Sequence, residues 1–347
     1  MVFEMPEPGL TTARADVPWA SLGARPIDVV TQEPEGPSGT GRLIDILGEL
    51  GCRAQPVAQT DFELSPERIV WIRGNAIWHP IAVRRLAAAP PGERPRVVLW
   101  HSEPLPFPRE AGLRLERPHA RELGKILLRH HVTDPHSNAR QLRRLARDRI
   151  VDLLAVSTQG GQAFLAEQGI RAEFVPLGYH PTHGRDLGLA RDIDVLFLGA
   201  LTVPRRTRVL ERLEREGIRV HAVGSWDDQR YWGESRTRLI NRAKIMLNLP
   251  RHSGLLSGMR MILGMANKAL VVCEPVYLPD PYLPGEHYAS ASVDEMPAVI
   301  RHYLKHEEER TRMTERAYRF VIEELTMAHS VGTILSLAAE RLAPPDP

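Results

Sequence analysis

A chain of 347 residues, 43% hydrophobic and 25% charged, has the composition of a globular protein and exceeds the length at which one core stops growing, leaving room for two domains of roughly 150–180 residues each. Its 45 basic and 43 acidic residues leave a net charge of +2, which makes no overall field for gathering nucleic acid, so any polyanion recognition has to be local. Cys52 and Cys273 show no CxxC or paired spacing, which argues against a disulfide framework or cysteine metal site and suits a reducing cytoplasm. No run approaches 18 apolar residues and MVFEMPEPGL lacks a basic segment ahead of an apolar one, so a soluble cytoplasmic protein without a transmembrane segment is expected.

The first 25 residues and the tail APPDP are proline-rich and unpatterned, hence expected to be loose. From Pro26 onward, short apolar runs alternate with helical periodicity, the mark of parallel β-α-β units. The first half predicts strands at 27–31, 53–57, 68–73, 96–100, 151–156 and 171–175, with helices at 41–50, 79–88, 119–130, 137–147 and 159–168. The second half predicts strands at 193–198, 218–223, 244–249 and 269–273, with helices at 205–216, 234–243, 257–266 and 293–305 and a long one over 307–328. The stretch 177–191, LGYHPTHGRDLGLAR, is rich in Gly, Pro, His and Arg and has no apolar period, so the boundary falls there. The simplest architecture is two doubly wound Rossmann-like α/β domains, 26–180 and 188–328, facing a central cleft. In it, 329–347 supplies a last helix and tail that pack back on the first domain.

Ligands of open α/β sheets bind beyond the carboxyl ends of the strands, which directs attention to the loops after each strand. After the first strand, GPSGTGRL places Gly39, Thr40 and Gly41 where a substrate can approach backbone; a tight turn with Thr40 as helix cap is an equal reading. Its glycines at 36, 39 and 41 are not G-x-G-x-x-G, and no P-loop is present. WHSEPLPFP ends a central strand with His101 and Glu103 in the loop facing the cleft, where either suits a general base or a hydroxyl-holding role, or else packs and caps locally. His130, His131 and His136 lack metal spacing and read as a polar helix end. Asp192 and Asp194 form a D-x-D, but at the amino end of a strand, away from the ligand side, and no metal is expected from them.

The most informative stretch is DIDVLFLGALTVPRR. Strand-end Gly199, a helix start and the pair Arg205 and Arg206 converge, and a basic pair opposes the macrodipole unless an anion is present. Trp226, after the next strand, is placed to stack on a base or to pack. Between Glu234 and Glu274 there is no acid and there are seven Arg or Lys, a local positive field suited to a diphosphate. Within that run Lys244, Asn248 and Arg260 are the candidate donor residues, and Glu274, after the last strand, is placed to accept from a ribose.

The strand running into Gly199, the RR pair, the Lys-x-x-x-Asn strand KIMLN, the Arg-bearing helix ending in ANKALVVCEP and the late HYAS segment resemble the donor half of GT-B glycosyltransferases. They are most similar to the CgeB-like, family-1-like bacterial group. The likeness covers about 190–330 well, while 26–180 follows only the general pattern of an acceptor domain, with VVLWHSEP similar to that group's mid-domain strand. The resemblance implies a nucleotide-diphosphate sugar as donor, an acceptor that is a glycan, small molecule or protein, and no metal or other cofactor. It also implies that Gly199 faces the donor, that Arg205 or Arg206 approaches the diphosphate and that Arg260 neutralises the leaving group. The Glu-x7-Glu pair of many retaining members is missing around Leu255 and Leu263. Its absence gives weight to a non-catalytic nucleotide-sugar-binding protein, and a nucleotide-sugar epimerase shares the two-domain architecture.

Overall fold

The computed structural model describes residues 19, 22, 25–31, 39–115, 134–224 and 231–342. The expected helix at 119–130, with His130 and His131, and Trp226 lie outside the described residues. Among the described residues, no helix is long and apolar enough to cross a membrane.

The first sheet is built from β1 (Ile27–Thr31), β2 (Ala54–Ala58), β3 (Ile69–Arg73), β4 (Arg96–His101), β5 (Leu153–Val156) and β6 (Glu173–Phe174). All pair in parallel, in the order β2-β1-β3-β4-β5-β6. Its central strands are apolar at consecutive positions because helices cover both faces. Those helices are α1 (Gly39–Glu49), α2 (Pro80–Ala88), α3 (Pro135–Arg147) and α4 (Gln159–Glu167). Their starts follow capping chemistry: Asp134 accepts from the Ser137 N–H with Pro135 at the first helical position, and Thr158 accepts from the Gly161 N–H. The edge strand β6 keeps only two of the five residues expected over 171–175.

The second sheet comprises β7 (Ile193–Leu198), β8 (Val220–Val223), β9 (Ala243–Asn248), β10 (Leu270–Cys273) and β11 (Ala289–Ser290), parallel in the order β11-β10-β9-β7-β8. It is flanked by α5 (Pro204–Arg215), α6 (Gly233–Asn241), α7 (Gly258–Ala266), α8 (Met296–Lys305) and α9 (Glu307–Arg319). In each sheet the strand order reverses once, between β1 and β3 and between β7 and β9, which is where such sheets open a ligand crevice.

The single helix expected over 307–328 is divided. After α9 the chain makes a π-helical turn, Phe320–Glu324, and α10 (Met327–Leu342) begins anew. The break has a partner: the Tyr179 N–H donates to the Leu325 carbonyl and the Met327 N–H to the Tyr179 carbonyl, both at 2.7 Å. These backbone groups serve the crossing between domains and so cannot serve a continuous helix. Only glycine fits beside it, since a Cβ on Gly178 would stand 2.3 Å from the Thr326 oxygen. Beyond the break, α10 buries Val331, Ile334, Leu335 and Ala338 in one core with Ile27, Val29, Leu43, Leu47 and Trp71 of the first domain.

Candidate functional site

The carboxyl ends of β7 and β9 carry the densest chemistry. Gly199 follows β7, and its N–H donates to the Val223 carbonyl at 3.0 Å. Pro204 opens α5, placing Arg205 and Arg206 in the first turn, where they are 8% and 5% exposed. Arg206 donates from Nε to the Leu249 carbonyl at 2.9 Å and from Nη1 to the Ala200 carbonyl at 3.3 Å, with its guanidinium 5.8 Å over the Phe197 ring. Arg260, in the first turn of α7, reaches back to the strand end: Nη1 donates to Asn248 Oδ1 at 3.2 Å, the Leu249 carbonyl at 3.2 Å and Ser257 Oγ at 3.1 Å. A Cβ on Gly199 would meet Phe197 at 3.1 Å and the Arg260 guanidinium at 3.6 Å, so glycine lets backbone and cations crowd one point.

The two arginines of the pair differ in kind. Arg205 donates from Nη2 to Glu274 Oε1 and from Nη1 to the Pro250 carbonyl at 3.3 Å, and the same Glu274 oxygen accepts from Ser253 Oγ at 3.3 Å. Glu274 is 2% exposed, and its Oε2 has no hydrogen-bond partner among the described residues. Among the described residues, the hydrogen-bond partners of Arg206 are carbonyls. Burial lowers its pKa to about 9, with the like charges of Arg260, Arg251 and Arg205 adding to the effect. Burial likewise lowers Arg260 to about 10, and Arg251 adds to it. Cations crowded at a helix N-terminus repel one another and the macrodipole, and an anion between them would relieve every one of these terms.

Across the cleft, Asn138 holds the loop after β4, donating to the Pro104 carbonyl at 2.9 Å while accepting from Asn75 Nδ2 at 2.6 Å. That loop touches the second domain. Phe107 meets the Tyr277 ring edge-on at 6.1 Å between centroids, the Tyr277 hydroxyl donates to Glu110 at 3.2 Å, and the Tyr277 N–H donates to the Gly254 carbonyl at 2.9 Å. Half-buried Glu103 has its pKa raised by burial, against an opposing pull from Arg251 on the facing domain.

His101 lies not in the loop, as expected from sequence, but as the last residue of β4, 1% exposed. Burial holds its pKa near 4, against the favourable backbone of Glu103 and Gly74, so the ring is neutral and shielded from solvent. Lys244 is a second correction. It is the second residue of β9, and its Nζ pairs at 2.6 Å with Asp194, the second residue of β7. Four residues of strand, about 13 Å, separate it from Asn248 and the cation cluster, so Lys244 belongs to the opposite end of the sheet. Asp192 pairs with Arg242 there, which accounts for both carboxylates of the D-x-D. His136 is exposed on α3. Gly39, Thr40 and Gly41 form the first turn of α1, at the carboxyl side of β1.

Sequence reasoning did not single out Ser253, Ser257, Tyr277 or Glu110, and passed over Arg251 as one basic residue among several. Arg251, Ser253 and Ser257 fall inside the acid-free run, which is a usable signal. The Tyr277 to Glu110 contact spans 167 positions and has none.

Two parallel-sheet α/β domains whose strand ends face one cleft define the GT-B fold. Residues 205–336 match the family model described as Glycosyl transferase-like, a stretch that opens on Arg205 itself. Anabaena Alr3699/HepE in complex with UDP-glucose is similar in structure at 11% identity and a TM-score of 0.57, covering 91% of this chain and 99% of that one. An E. coli structure described as trehalose-6-phosphate bound with UDP-2-fluoro glucose matches at 12% identity and a TM-score of 0.58, again covering 91% and 99%. TarM matches at 10% identity and a TM-score of 0.56, covering 87% of this chain, which spans 58% of the TarM chain. At these identities the likeness is one of fold. No curated protein matches the sequence.

Proposed function

We propose that the protein is a glycosyltransferase that moves a sugar, of the hexosyl class, from a nucleotide-diphosphate donor to an acceptor on the first domain. The observation that carries this is the pair of buried Arg206 and half-buried Arg260, with no carboxylate partner among the described residues, at the switch point of the second sheet. The glycosyltransferase-like match over 205–336 and the UDP-glucose complex among the structures of like fold support the same reading. The KIMLN and ANKALVVCEP segments support the CgeB-like branch as its place.

In this reading Arg206, Arg260 and the start of α5 take up the charge that develops on the departing diphosphate, the term that dominates such transfers. With cations of the chain in that role, the proposed reaction needs no divalent metal. Arg205 and Glu274 brace the floor of the site, and the remaining Glu274 oxygen faces the donor as a hydroxyl acceptor. Asn248 orients Arg260. Glu103 takes the acceptor hydroxyl, its raised pKa making the carboxylate a stronger base than an exposed one. His101 supports the loop from below.

Titration of UDP, GDP, dTDP, ADP and CMP by calorimetry, with and without EDTA, tests the donor site. One diphosphate should bind, insensitive to EDTA, and R206Q or R260Q should abolish the heat. Absence of binding by all five overturns the reading. Donor binding with neither transfer nor hydrolysis would point to a binding protein, and sugar interconversion without acceptor to an epimerase.

A further inference from the structure

We propose a second oxyanion site at the switch point of the first sheet, formed by Arg42, Arg73, Arg236 and His183, which holds a phosphate group carried by the acceptor. Its assignment to the acceptor rests on the transferase reading; the anion site itself does not.

The four residues come from three parts of the chain. Arg73 ends β3, and Arg42 sits in the first turn of α1, beside the neighbouring strand β1. Arg236 is in the first turn of α6 in the second domain, and His183 closes the turn Pro181–His183 in the linker. The linker is pinned there: Arg236 Nη2 donates to the Thr182 carbonyl at 2.8 Å, Asn267 Nδ2 to the His183 carbonyl at 3.3 Å, and Asn241 Nδ2 to the Arg185 carbonyl at 2.9 Å.

Among the described residues, four buried donor atoms of the cluster have no acceptor. The His180 N–H donates to His183 Nδ1 at 3.0 Å, which puts the proton of the neutral ring on Nε2. His183 is 3% exposed, and that Nε2 has no hydrogen-bond partner among the described residues. The Nε groups of Arg42, Arg73 and Arg236 are buried and equally without one. Buried donors are rarely left so, and an anion held among them would supply the missing acceptors. Burial, then the charges of Arg42, Arg236, His180 and Arg73, lowers His183 to about 3; burial and Arg42 lower Arg73 to about 10. Among the described residues, the acids acting on this region, Glu49 and Asp45, are exposed on α1 and act on His180. Glu234, beside Arg236 in sequence, is paired with Arg185.

This cluster is distinct from the donor cations. The charges acting on Arg206 are Arg260, Arg251 and Arg205, whereas those acting on His183 are Arg42, Arg236, His180 and Arg73. A donor diphosphate already has its own guanidiniums. The second set, shared between the first domain, the linker and α6, is placed to hold a phosphate on the other substrate and to draw the domains together around it.

The test is calorimetric titration of inorganic phosphate into the full chain, alone and with saturating UDP or whichever diphosphate the donor panel selects. Phosphate should bind in both states, and R42Q and R236Q should each weaken it about tenfold or more while leaving nucleotide affinity unchanged. R206Q should do the reverse. Arg42 and Arg236 stand in helix first turns, and an unchanged melting temperature for either one suffices to show an intact fold. Displacement of phosphate by the nucleotide would assign the cluster to the donor diphosphate and overturn the proposal. So would a phosphate affinity indifferent to R42Q and R236Q, or no phosphate binding. Phosphate binding without any nucleotide binding would leave this site standing and remove the donor reading instead.

Discussion

The loops beyond β7 and β9 and the loop beyond β4 differ in electrostatic character. Beyond β7 and β9 the side chains remain cationic and crowd one another, with the buried carboxylate of Glu274 set against Arg205. Beyond β4 the ionisable groups are held toward neutrality: His101 is buried with its pKa near 4 and Glu103 is raised. Burial disfavours charge at both places, but beyond β4 it shifts groups that can lose their charge, while beyond β7 and β9 it acts on guanidiniums that an anion would compensate. The proposed division of labour between acceptor side and donor side rests on that contrast.

The largest effect should come from the buried ion pair on the second side. Glu274→Ala leaves Arg205 buried without its carboxylate, and chemical denaturation should show a loss of about 3–5 kcal/mol. A loss below about 1 kcal/mol would mean that Arg205 does not depend on this pair.

Glu103→Gln tests the first side, with an expected fall in kcat of about a hundredfold and little change in donor affinity. Wild-type kcat/KM should climb with pH through a midpoint above the ordinary carboxylate range, because only the ionised form removes a proton and burial disfavours that form. That limb should vanish in the variant; its persistence would move the base elsewhere.

Arg206→Gln should cost about tenfold to a hundredfold in nucleoside-diphosphate affinity without lowering the melting temperature, since it removes a buried charge that its neighbours repel. Burial of its charge beside Arg260, Arg251 and Arg205 burdens the fold, which is why its removal should be tolerated. The smallest effect is expected at Lys244→Ala, within about 1 kcal/mol and without consequence for nucleotide binding, because its pair with Asp194 is solvent-exposed.

Much of the fold was legible because its signals are local. Apolar runs of five or six residues marked β1, β3, β4, β7, β9 and β10, and glycine, proline and basic residues after β7 marked the turn that carries Arg205 and Arg206. Two features misled for a physical reason. The period from Glu307 onward continues through 328 in sequence, but the backbone at Leu325 and Met327 is bonded to Tyr179, some 150 positions earlier in the chain, and the helix stops. KIMLN puts a lysine and an asparagine on one strand, and only the parallel register says which end faces the cleft.

The sequence by itself determined what depends on neighbours a few residues apart: the alternation of strand and helix, the division near 177–191, and Arg206 and Arg260 as cations beside glycine-rich strand ends. The tertiary structure decided which charges find partners. Arg205 meets Glu274, 69 residues away, because Glu274 directly follows β10 of the same sheet. Arg42, Arg73, His183 and Arg236 converge only because linker and α6 fold against the first sheet. Pairing and burial of charge are long-range properties, set by which segments meet, and no spacing along the chain encodes them.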